Sequence, residues 1–79
     1  MSLMPTGDKG QRYEVSCVGY PDSESLDRFI IGWTEQLHEA ERMAKAIALA
    51  PGCRSWTIRD RWKATDAWPS HEYTQMVQR

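Results

Sequence analysis

The stretch TEQLHEAERMAKAIALA, Thr34 to Ala50, decides how the rest of the chain is read. Leu37, Ala40, Ala44 and Ile47 recur at helical spacing and make one apolar stripe, flanked by Met43 and Ala48. Glu35, Glu39 and Glu41 precede Arg42 and Lys45, the order that suits a helix dipole. Glu41 and Lys45 also form an i, i+4 pair in the favoured orientation. Thr34 is the expected N-cap, with Gln36 as the cap of a later start. Pro51-Gly52 ends the helix, because proline disfavours the helical conformation before it and glycine accepts a left-handed turn.

Upstream, Arg12 to Tyr20 (RYEVSCVGY) alternates, with Tyr13, Val15 and Cys17 on one side and Glu14 and Ser16 on the other. Period two with Tyr and Val predicts a half-buried strand. The polar run Pro21 to Ser25 reads as a loop. Arg28 to Trp33 (RFIIGW) predicts a second strand, with Phe29, Ile31 and Trp33 sharing a face and Ile30 and Gly32 the other. Neighbouring strands joined by a short polar loop pair as a hairpin. Downstream, Cys53 to Trp62 (CRSWTIRDRW) alternates again and predicts a third strand, with Trp56 and Ile58 facing inward.

The run from Gly32 to Asp60 has the cadence of small bacterial and phage strand–helix–strand modules; it resembles an architecture and points to no particular family. The expected fold class is α+β: a ββαβ unit over 12–62, a single-layer three-stranded, mainly antiparallel sheet with one helix packed on one face. Sheet order 2-1-3 is favoured over 1-2-3, since antiparallel pairs outnumber parallel ones. That order brings Cys17 close to Cys53. Residues 1–11, with Pro5, Gly7 and Gly10, form a flexible lead-in, and residues 1–3 before Met4 read as a cloning remnant no less than as native chain. Residues 63–79 form a tail in which Ser70 caps a short helix through Gln78, with Tyr73, Met76 and Val77 on its apolar side.

At 79 residues the chain is one domain, near the size at which a single core barely offsets chain entropy. A net charge of −1 argues against a polybasic nucleic-acid arm and against an acidic mimic of DNA. No apolar run reaches membrane-spanning length and no signal peptide is visible, so the expected location is cytoplasmic, without membrane association. Two cysteines without a secretion signal read as buried thiols.

No catalytic, cofactor-binding or metal-binding residues are expected. His38, His71, Cys17 and Cys53 lack ligand spacing. Cys17 has no sequence-local base. The glutamates of the helix are dipole partners before they are acids, and no glycine pattern cradles phosphate. The chain is also short for a pocket of ordinary ligand volume.

Four tryptophans and three tyrosines are a heavy load for this length, and several lie where little core remains. Trp, Tyr and Arg dominate interface energetics. The expectation is therefore a small non-enzymatic module that self-associates or binds a protein partner. Its contacts would be Trp62, Trp68, Tyr73, Met76 and Val77, with Val18 and Ile30 exposed on the open face of the sheet. The alternative is a nucleic-acid-binding domain using Arg54, Arg59, Arg61 and Lys63, a basic strand interleaved with tryptophan.

Overall fold

A computed structural model of the chain describes residues 5–20, 24, 26–62 and 71–77. Five elements follow one another: β1 (Tyr13–Val18), β2 (Arg28–Thr34), α1 (Leu37–Ala48), β3 (Ser55–Asp60) and β4 (His71–Met76). The four strands form one antiparallel sheet in the order β2-β1-β3-β4, and α1 lies across one face. The class is α+β.

The helix starts after the strand rather than on it. Thr34 stays in β2 and its hydroxyl accepts the amide of Gln36 at 3.3 Å, so Gln36 becomes the N-cap, without a side-chain capping bond. Ala40, Ala44 and Ile47 are buried, with Ala40 and Ala44 fully so. Two alanines let the helix backbone approach the sheet closely. Gly52, with φ +88, makes the left-handed turn that sends the chain into β3. The helix thereby returns β3 beside β1, where Tyr13 faces Asp60, Val15 faces Ile58 and Cys17 faces Trp56.

Two expectations are corrected. The sheet has four strands, not three, and the segment expected as a terminal helix is β4. Its register sets Tyr73 against Ile58, Thr74 against Thr57 and Glu72 against Arg59. A short isolated helix is marginal. The outer edge of β3 offers the same backbone groups ready partners, and aromatic and β-branched residues suit a pleated surface.

The second correction concerns Trp33. Gly32 pairs with Val15 and Ile30 with Ser16, so Ile31 is the extra residue of a β-bulge. The bulge leaves Phe29 and Ile31 among the core residues but turns Trp33 to the opposite face, where its indole N–H donates to Glu14 Oε2 at 3.1 Å. Thr6 straps this irregularity: its amide donates to the Ile31 carbonyl at 3.1 Å, and Trp33 donates back to the Thr6 carbonyl at 2.8 Å. Gly32 is needed there, since a Cβ would lie 2.5 Å from the Thr6 oxygens.

The core lies between α1 and β1–β3. Val15, Cys17, Ile58, Ala40 and Ala44 are almost wholly buried, with Tyr13, Ile31, Ile47 and Cys53 around them. Asp60 is buried at its end, 2% exposed. Arg12 clasps it with two hydrogen bonds of 3.0 Å each, and the Trp62 amide donates to it at 3.1 Å. The carboxylate holds the Arg12 guanidinium above its ordinary pKa, chiefly through these hydrogen bonds.

Candidate functional site

The helix covers three strands but not the fourth: α1 packs on β1, β2 and β3. Beside it, on the same face, runs a groove of about 690 Å³. One wall is the α1 flank of Leu37, Glu41 and Lys45, residues four apart that line one side of a helix. The floor and the other wall come from Trp56 and Ile58 of β3 and Tyr73 and Gln75 of β4. Leu37 and Tyr73 are both partly exposed, 39% and 43%. The volume lies in the ordinary range of ligand clefts, contrary to the expectation for so short a chain. It arises because β4 extends the sheet beyond the width of one helix. A second, smaller hollow of about 320 Å³ lies on the other flank of α1, lined by Tyr20, Ile31, Met43 and Ala46 among others.

The groove adjoins a backbone edge. Val77 donates its amide to the Arg54 carbonyl at 2.8 Å, which fixes the phase of the β3–β4 ladder. In an antiparallel pair, hydrogen-bonded and non-hydrogen-bonded positions alternate. Tyr73 and Gln75 therefore point their backbone groups at β3, whereas Glu72, Thr74 and Met76 point theirs outward. Among the described residues no strand pairs with that side. The edge carries no proline, lysine or bulge, three of the usual protections against strand addition, and the charge of Glu72 is drawn to Arg59.

On the face away from the helix the side chains form rows across the sheet. Trp33, Glu14, Arg59 and Glu72 make one continuous polar row. Arg59 Nη1 lies 3.7 Å from Glu14, and its Nη2 and Nε lie 2.7 and 2.8 Å from Glu72 Oε1. Next come Ile30, Ser16, Thr57 and Thr74, with the two threonine hydroxyls 2.9 Å apart. Arg28, Val18, Ser55 and Met76 follow.

The residues expected to bind a partner are thus divided between surfaces. Val18, Ile30 and Met76 share the open face; Val18 and Ile30 are half-buried rather than exposed, while Met76 is 67% exposed. Tyr73 lies in the groove on the other face. Val77 is half-buried against the core. Trp62 stands at the far end of β3, 61% exposed, its ring 6.0 Å from the Arg12 guanidinium. Trp68 and Lys63 lie outside the described residues. Of the basic set, Arg59 is ion-paired twice, Arg61 donates to the carbonyls of Lys9 and Gln11, and Arg54 is exposed beyond the start of β3. Sequence reasoning missed Leu37, Trp56, Ile58 and Gln75 as site residues, because reading β4 as a helix hid the groove. The Leu37, Glu41, Lys45 spacing was the available signal.

Cys17 and Cys53 are free, buried, neighbouring thiols, and the Cys53 thiol donates to the Ser55 carbonyl at 3.7 Å. Burial, then the neighbouring Cys53, pushes the Cys17 thiol up to about 11. It is thus held protonated at neutral pH, the opposite of an activated nucleophile. Among the described residues no group of His, Cys, Asp and Glu could hold a metal ion, and no helix is long and apolar enough to cross a membrane. In comparisons with known proteins, no family model, no curated protein and no solved structure gives a significant match.

Proposed function

We propose that this chain is a small non-enzymatic protein-interaction module whose binding surface is the outer edge of β4 with the adjoining groove. One observation carries this reading. The fourth strand presents a backbone edge that no described strand pairs with, beside an apolar trough that the helix is too narrow to cover. Strand addition uses this combination: main-chain hydrogen bonds supply affinity and flanking pockets supply side-chain selectivity. Trp56, Tyr73 and Leu37 provide the apolar floor and wall, and Glu41 and Lys45 give the rim both signs of charge. The nucleic-acid alternative has weaker support, since Arg59 is neutralised by Glu14 and Glu72 and Arg61 is bonded to backbone carbonyls.

The test is capture from the native host on immobilised full chain, compared with two variants. Thr74→Pro removes one outward N–H, which an edge strand tolerates. Leu37→Glu places a carboxylate in the groove at the first turn of α1, where the helix dipole favours it. Partners retained by the parent chain and lost by both variants, with unchanged circular dichroism, are the expected result. Capture that survives both substitutions would refute the assignment of the surface.

A further inference from the structure

We infer that the strand added to β4 is the β4 of a second copy of this chain, joined antiparallel about a twofold axis through Thr74. The inference rests on the proposed role of β4 and names its occupant.

The outward positions select the register. Antiparallel hydrogen-bonded pairs must join outward-facing residues to each other. Centring on Thr74 pairs Glu72 with the partner's Met76, Thr74 with the partner's Thr74, and Met76 with the partner's Glu72. Every outward N–H and C=O of β4 is then used. Centring on Glu72 would set two carboxylates directly opposite and leave Met76 unused, and like charges at opposed positions are destabilising. Centring on Tyr73, Gln75 or Met76 likewise leaves Met76 or Glu72 without a described partner, so the Thr74 centre is the one register that uses all three outward residues of both copies. A net charge of −1 per chain adds little overall repulsion.

The geometry also closes. The other edge of the sheet, β2, carries the bulge at Ile31 and is bridged at Gly32 by Thr6, both of which hinder strand addition. With one flat edge per molecule, the contact is isologous and stops at two copies instead of growing into a fibre. The twofold axis stands perpendicular to the sheet, so both helices lie on the same face. The two grooves merge into one channel between them. Tyr73 of each copy stands opposite the partner's Gln75 in a non-hydrogen-bonded pair, the closer kind. The open face gains a line of threonines, Thr57 and Thr74 from each molecule.

Sedimentation equilibrium of the full chain, up to about 1 mM, tests this. The expected mass is twice the 9.1 kDa of one chain, with amide protection at Glu72, Thr74 and Met76 rising with concentration. Thr74→Pro should be monomeric with unchanged circular dichroism. Met76→Lys sets a lysine against the partner's Glu72 at both ends of the joint and should tighten the dimer several-fold at low salt, less at high salt. Thr74→Lys opposes two lysines on the axis and should dissociate it, a check that does not depend on tolerance of proline. A strictly monomeric parent chain would overturn the inference. If that monomer still captures another protein through Thr74, the interaction reading stands and the edge belongs to a foreign strand; if it captures nothing, both fall. A dimer that survives Thr74→Pro and Thr74→Lys, or that Met76→Lys leaves unchanged, would also overturn it.

Discussion

Raising the pH should destabilise this protein through one thiol. Cys17 is 1% exposed, beneath α1, opposite Phe29 and Trp56 and near Cys53. Burial disfavours the thiolate most; the neighbouring Cys53 adds to this through its charge and a hydrogen bond, partly offset by the Tyr20 backbone. The thiol titrates at about 11 in the folded chain, against 9.0 for the free group. The sign follows from proton binding. Between those values the unfolded chain has released its proton and the folded chain has not, so stability falls as pH rises. The contribution is intact below pH 9 and lost by pH 11. Its ceiling is about 2.7 kcal/mol, at about 1.36 kcal/mol for each tenfold change in acidity. Relaxation and water penetration around so small a core relieve part of that penalty, and roughly 1–2 kcal/mol remains. The assay is urea unfolding from neutral pH to above 11, for the parent chain and Cys17→Ala. Every group other than Cys17 is common to the two proteins, so the comparison isolates this one thiol. The parent curve should descend more steeply, by that amount, and the two should run parallel above pH 11. Equal slopes throughout would refute the reasoning.

Three further outcomes are expected. Asp60→Ala removes a buried carboxylate that accepts two guanidinium bonds and the Trp62 amide; it should cost about 2–4 kcal/mol in denaturant unfolding, and a loss under half a kilocalorie would show the clasp to be incidental. Gly32→Ala places a Cβ 2.5 Å from Thr6 and 2.8 Å from the Met43 methyl. It should cost about 1–3 kcal/mol and speed hydrogen exchange at the Trp33 amide, whereas unchanged exchange there would show that Thr6 does not brace the bulge. Glu72→Gln weakens an ion pair whose side chains are a third exposed, 33% and 36%; the melting temperature should barely move, by less than about 1 kcal/mol in stability terms, and a larger drop would make the polar row structural.

The helix and the first three strands were legible because each has a period of its own. Ala40, Ala44 and Ile47 mark a helical stripe whatever they pack against, and Tyr13, Val15 and Cys17 mark a pleat. Trp33 was assigned to the wrong face for the same reason. Strict alternation from Phe29 places it inward, and nothing local announces that Ile31 is a bulge; the strap from Thr6, distant in sequence, is part of what holds it. The tail failed differently. Tyr73, Met76 and Val77 fit a helical spacing, and HEYTQM fits a strand no less well. What separated the two was the free edge of β3, which lies outside that window.

The order of charges along Thr34 to Ala50, the Pro51-Gly52 stop and the alternation of the three strands come from the chain's own covalent sequence, since local sterics and side-chain spacing act over a few residues. The fourth strand, the turning of Trp33 and the groove beside α1 depend on which surfaces meet after collapse. A sheet four strands wide under a helix that spans three must leave a strip uncovered, and only the assembled width shows it. That strip and its edge carry the proposed function, which is why seventy-nine letters describe the scaffold more fully than the site.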